Sequence, residues 1–187
     1  MTDFTLGRLS RGLLAGALLL GSAGPAWCAG SIEPLLNLLA ERNAIGDEVA
    51  LSKWDSGKPV QDAAREAVVL SNVREQAPEY GLDPDDAARF FGMQIESNKL
   101  VQYQLLDQWR LSGRAPDKPR PDLTALRKRL DRLQADMLDA LQASAEARKA
   151  PDCRVSTARA VKAYAQAHHL DPVHRIALVR SLGDFCR

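Results

Sequence analysis

At 187 residues the chain has room for one domain with a sizeable core and is short for two. Its 25 lysines and arginines almost cancel its 24 aspartates and glutamates, leaving a formal charge of +1, a balance that argues against gripping nucleic acid through a basic face. A hydrophobic share of 45% excludes a disordered chain.

The first thirty residues stand apart. Arg8 and Arg11 give a positive start, Gly12 to Gly21 reads GLLAGALLLG, and small residues with Pro25 follow. An apolar run of about ten residues is too short to cross a bilayer as a stable helix, so this stretch reads as a secretory signal peptide over residues 1–29. Trp27 occupies a position where cleavage after Ala29 prefers a small residue, which leaves cuts after Cys28, Ala29 or Gly30 open. The same bulky Trp27 weighs against lipid attachment at Cys28. The mature domain is then residues 30–187, exported and without a membrane anchor.

Helical periodicity dominates the rest. From Ile32 to Trp54 the apolar positions Leu35, Leu38, Leu39, Ala44, Ile45, Val49 and Leu51 follow the helical repeat, and Asp55-Ser56-Gly57 ends it. Pro59 suits the first turn of a second helix running to about Gln76, before Pro78. Asp83-Pro84 is an N-cap followed by proline at the first helical position, opening a third helix through Phe90, Phe91, Ile95, Leu100 and Leu105 to about Arg110. The connector SGRAPDKPRP (Ser112 to Pro121) separates it from a fourth, capped by Asp122 and running from Leu123 to about Arg148 with the stripe Leu126, Leu130, Leu133, Met137 and Leu141. Two shorter helices, about Ser156 to His168 and Pro172 to Gly183, complete an all-α, single-domain bundle of about six helices.

Export gives the cysteines meaning. With Cys28 at or beyond the cleavage point, Cys153 and Cys186 form an even pair in an oxidising compartment, which reads as one disulfide near the C-terminus. Closing a loop of about 33 residues is worth roughly 3–4 kcal/mol in the chain-entropy description. The alternative is two separate buried thiols. His168, His169 and His174 lack a metal-ligand spacing with either cysteine, so no metal is expected.

Several polar residues share helical faces. Arg42 and Lys53 lie eleven positions apart, which at about 100° per residue returns the second to within roughly 20° of the first. Asp62, Arg65, Glu66 and Val69 follow i, i+3, i+4, i+7; Asn98 and Gln102 are an i, i+4 pair; Arg127 adjoins the Leu126–Leu130 stripe. For any one of these residues a solvated face is the simpler explanation. Taken together, four helices can each present a cation or an amide to one cleft, which suits a small polyanion. A nucleotide or a covalent mechanism has less support, because there is no glycine-rich phosphate loop and no Cys–His nucleophile pair.

Three blocks sharpen this. AERNAIGDEVALSKW (Ala40 to Trp54), PVQDAARE (Pro59 to Glu66) and MQIESNKLVQYQ (Met93 to Gln104) resemble the all-α chorismate mutases in order and spacing. DQW (Asp107 to Trp109), the proline-rich connector, PDLTALRKRLDRL (Pro121 to Leu133) and the late cysteine pair are similar to the secreted, periplasmic subclass. The resemblance spans nearly the whole mature chain. It implies a cofactor-free isomerase of the type II helical fold, converting chorismate to prephenate in aromatic amino acid biosynthesis, periplasmic or secreted, and a homodimer.

Roles follow by position. Arg42 and Arg127 would clamp the two substrate carboxylates, and Lys53 and Gln102 would donate to the ether oxygen of the breaking bond. Asp62 and Glu66 would hold the ring-hydroxyl region, Arg65 would line the site, and Asn98 would make a polar contact near a carboxylate. In the secreted subclass the chain's own second half supplies the second arginine, so Arg127 implies a site made within one chain. Some relatives carry Glu and Thr where this chain has Gln102 and Asn98, and Val69 lacks an amide some of them have. The competing functions are an isochorismate-pyruvate lyase on the same fold and an exported helical interaction protein without catalysis.

Overall fold

The apolar stripes bury together as the periodicity requires. The computed structural model describes residues 31–187, so the expected signal peptide lies outside the described residues. Helix α1 spans Glu33–Ser56, α2 Ala63–Gln76, α3 Pro84–Ser112, α4 Leu123–Ala143, α5 Ala145–Lys149, α6 Cys153–Ala167 and α7 Pro172–Ser181, with a 3₁₀ turn at Ala77–Tyr80. No strand interrupts them among the described residues. None of these helices is long and apolar enough to cross a membrane.

The helix ends follow their local chemistry. Glu33 and Pro34 occupy the first turn of α1, and Gly57 closes it at φ +64°, a left-handed conformation that lets its N–H reach the Lys53 carbonyl at 2.9 Å. Asp83, Asp122 and Asp171 cap α3, α4 and α7 by accepting from Asp86, Thr124 and His174 backbone N–H groups.

Three details depart from the sequence expectation. The second helix starts at Ala63 rather than Pro59, because the Asp62 carboxylate accepts from the Arg65 N–H at 3.1 Å and makes the N-cap there. The fourth expected helix divides at Ser144, whose hydroxyl turns back to the Ala140 carbonyl at 2.8 Å, so the described residues hold seven helices where six were expected. Ala44, expected in the α1 stripe, faces outward.

Helix α3 is the centre of the bundle, packed against α1, α2 and α7, while α4 crosses α1. Leu35, Leu36, Leu39, Phe90, Phe91, Met137, Leu138, Leu141, Leu178 and Phe185 form the main core. A second cluster of Ala50, Leu51, Val60, Leu106 and Trp109 pins the α1–α2 linker, and a third joins Ile45 to Leu126 and Leu133 across the α1–α4 contact. Fully burying one leucine- or phenylalanine-sized side chain is worth about 1.5–3 kcal/mol, so these faces set the helix arrangement. The expected Cys153–Cys186 disulfide is formed and fastens the C-terminal tail to α6. Beside it the buried Arg148 guanidinium pairs with Asp86 at 3.0 Å and donates to the Phe185 carbonyl at 2.8 Å.

One polar tie carries a pH signature. His174 on α7 meets Asp47 of α1 at 3.1 Å and Asp171 at 2.7 Å. The bond to Asp47, opposed by burial and reinforced by Asp171, raises its pKa from 6.5 to about 9. The folded chain therefore holds this proton more tightly than the unfolded one. The stabilisation is complete below pH 6.5 and is lost as pH rises toward about 9. Melting His174→Asn beside the parent should show a gap in Tm at pH 6 that closes by pH 9.5, with each kcal/mol worth roughly 2–4 °C in a chain of this size. An equal gap at both pH values would mean the contact is worth the same unprotonated.

Candidate active site

Where α1, α2, α3 and α4 come together they leave a cavity of about 320 Å³, within the ordinary range for small-ligand sites. Its walls include Arg42 and Lys53 from α1, Asp62 with Arg65 and Glu66 from the start of α2, Asn98 and Gln102 from α3, and Arg127 from α4. The structure thus brings together every site residue expected from the sequence.

They are not equally buried. Arg42 is 8% exposed and Gln102 4%, Lys53, Glu66 and Asn98 are half-buried, and Asp62, Arg65 and Arg127 are exposed at the rim. Burial lowers the Arg42 pKa to about 10, leaving it a cation at neutral pH. Among the described residues no carboxylate lies within ion-pair distance of it, and its buried Nε has no hydrogen-bond partner. A buried charge without a partner is costly, and an anion in the cavity would supply one.

Lys53 lies about three turns beyond Arg42 on the same face of α1. Its Nζ donates to the Val60 carbonyl at 2.6 Å, which anchors the ammonium and leaves two further donors. Burial lowers its pKa, against the raising effect of Asp62 and Glu66. On α3 the amides form a short relay: Asn98 Nδ2 donates to the Arg42 carbonyl at 2.8 Å, and Gln102 Nε2 donates to Asn98 Oδ1 at 2.7 Å.

The two acids also work locally. Asp62 caps α2, and Glu66 Oε1 accepts from the Asp62 N–H at 3.3 Å, a reciprocal arrangement that fixes both carboxylates at the cavity edge. Glu66 Oε2 pairs with Lys99 at 3.2 Å, and Lys99 also pairs with Glu96 at 2.7 Å. Sequence reasoning missed Lys99 and Lys58, both of which line the cavity. Glu96 and Lys99 have the i, i+3 spacing of ordinary surface pairs, and Lys58 stands in an irregular linker where periodicity says nothing. With them the walls hold six basic side chains (Arg42, Lys53, Lys58, Arg65, Lys99, Arg127) against three acidic ones (Asp62, Glu66, Asp131). In a chain of net charge +1 this is a local positive excess suited to a small dianion.

Comparison with known proteins agrees with that chemistry. The family model for chorismate mutase type II matches residues 33–103. A protein of Mycolicibacterium smegmatis named secreted chorismate mutase is 33% identical over 159 residues, covering 85% of this chain and 88% of that protein. One of the same name from Mycobacterium tuberculosis is 31% identical over 154 residues, covering 82% and 77%. The crystal structure of a chorismate mutase from Burkholderia phymatum superposes with a TM-score of 0.82 at 44% identity, covering 85% of this chain and 98% of that one.

Proposed function

We propose, for a chain that belongs to the chorismate mutase family and is an isomerase of chorismate, that the cationic cleft between α1, α2, α3 and α4 is where the rearrangement to prephenate takes place. The observation that carries the assignment is Arg42, a buried guanidinium on the cavity wall with no anion of its own. Its secreted relatives put the enzyme among the exported members of the family.

The reaction is pericyclic, so it asks for no nucleophile, proton relay or cofactor. It asks instead that the enolpyruvyl side chain be held over the ring near bonding distance, against repulsion between two carboxylates. In our reading Arg42 from below and Arg127 from the rim each take one carboxylate with a guanidinium fork. Arg65, Asp62 and Glu66 line the part of the cavity formed by the start of α2, where the acids are suited to accept from the ring hydroxyl. As the ether bond lengthens, negative charge grows on its oxygen. Lys53 and Gln102, held by Val60 and Asn98 before substrate arrives, then stabilise that state more than the ground state.

Gln102 gives the reading a pH test. An amide donates at any ordinary pH, whereas a carboxyl group donates only when protonated. Purified mature protein mixed with chorismate should consume its ultraviolet absorbance, form prephenate without releasing pyruvate, and keep a nearly level kcat from about pH 5 to 8. Gln102→Glu should instead turn over faster as pH falls. Pyruvate release would favour the lyase, no turnover would favour a binding protein, and a steep profile in the parent would remove Gln102 from the ether oxygen.

A further inference from the structure

We propose that Asn98 is a positioning residue that sets which end of the Gln102 amide faces the substrate. The inference rests on the reading that Gln102 donates to the ether oxygen, and it replaces the substrate contact expected of Asn98 from the sequence.

The direction of the relay is dictated from its far end. A backbone carbonyl can only accept, so the Arg42 carbonyl requires Asn98 to offer its NH₂, which it does at 2.8 Å. That leaves Asn98 Oδ1 facing one turn along α3. This oxygen can only accept, so Gln102 must in turn offer its own NH₂, at 2.7 Å. One Nε2 hydrogen is then committed to Asn98 and the second remains for a ligand. Among the described residues Gln102 Oε1 has no partner, in a residue only 4% exposed. Exchanging the amide's ends would set Oε1 against Asn98 Oδ1, one acceptor facing another. The relay holds the amide in the donor-bearing orientation instead.

Gly46 makes the relay possible. A Cβ there would sit 3.3 Å from Asn98 Nδ2 and 3.1 Å from Val101 Cγ1. Its absence lets α3 approach α1 closely enough for Asn98 to reach the Arg42 carbonyl. Thr or Ser at position 98 is too short to offer both an acceptor and a donor at the separation an amide spans.

The test is a double-mutant cycle on kcat and KM with chorismate, in the full mature chain. Asn98→Leu should lower kcat on the order of tenfold with KM within about threefold, and should cost nothing further in a Gln102→Ala background, because Asn98 acts through Gln102. Asn98→Ala, which removes the amide without adding apolar bulk beside Gly46 and Val101, carries the test if the leucine variant fails to fold. It too should lower kcat with little change in KM, and should cost nothing further in the Gln102→Ala background. Additive losses in either variant would overturn the proposal by making Asn98 act on the substrate directly. Full kcat in Asn98→Leu would overturn it as well. Near-normal turnover in Gln102→Ala alone would strike the underlying assignment of Gln102, a different failure from either of these.

Discussion

Lys53→Ala is expected to lower kcat by a hundredfold or more while the helical circular dichroism signal stays unchanged. The size follows from what the ammonium would do: it meets a charge that exists only as the ether bond breaks, and removal of one such preorganised donor costs about 3–4 kcal/mol of barrier. The structural cost is smaller. Among the described residues Lys53 makes one hydrogen bond, to the Val60 carbonyl, and a bond from a charged donor contributes about 1.5–3 kcal/mol net. The linker it touches is held independently by Val60 in the Ala50, Leu51, Leu106 and Trp109 cluster. The loss should also appear in kcat more than in KM, since binding before reaction falls mainly to the arginines. Measuring chorismate consumption by the folded variant decides it, and turnover near the parent's would end the assignment of Lys53 to the reacting oxygen.

The helices were legible because most carry their own instructions: a repeat close to 3.6, with an aspartate at the start of α2, α3, α4 and α7 and a glycine after α1 and α3. Where the sequence misled, a specific hydrogen bond won. Pro59 announces a first turn, but Asp62 can satisfy the Arg65 N–H and Pro59 cannot, so α2 begins later and the linker lies across the cavity edge. Ser144 looks like any helical polar residue until its hydroxyl competes for the Ala140 carbonyl. The site was legible only within each helix. Eleven positions put Arg42 and Lys53 on one face, but nothing in a helical repeat says that α2, α3 and α4 turn their own polar faces to the same place. That convergence is a property of the packing of Ile45 on Leu126 and of α3 on α1, and the family resemblance stood in for it. Two further features had no sequence signal. Lys53 is anchored by a backbone carbonyl, which every residue possesses, and the sign of the Gln102 amide is set four residues and one helix away. The exposure of Arg65 and Arg127 is informative in the same sense: a cation at a rim is indistinguishable in sequence from one in solvent.

Arg127→Ala is expected to reduce kcat/KM by a hundredfold or more, and the deficit should not be repaired by a second chain. Arg127 stands on α4, and what brings α4 to the cavity belongs to the same chain as Arg42 and Lys53. Leu126 and Leu133 pack on Ile45 of α1, while Arg129 spans Glu41 at 3.1 Å and Glu48 at 2.8 Å on α1. The guanidinium is therefore delivered to the cavity by contacts on either side of it, two residues from an ionic brace and one from a buried leucine. Losing one of two forks leaves a substrate carboxylate opposed by its twin, which weakens binding in the ground state and the transition state alike, so KM should rise along with any fall in kcat. Coexpressing Arg127→Ala with Lys53→Ala separates the two ways of building the site. Were the second arginine supplied by a partner, mixed dimers would contain one cavity with both residues intact and would regain part of the parent rate. A cavity closed within one chain yields only doubly deficient assemblies, each chain lacking either its clamp or its ether-oxygen donor, and the mixture should be no faster than the sum of the two variants measured alone.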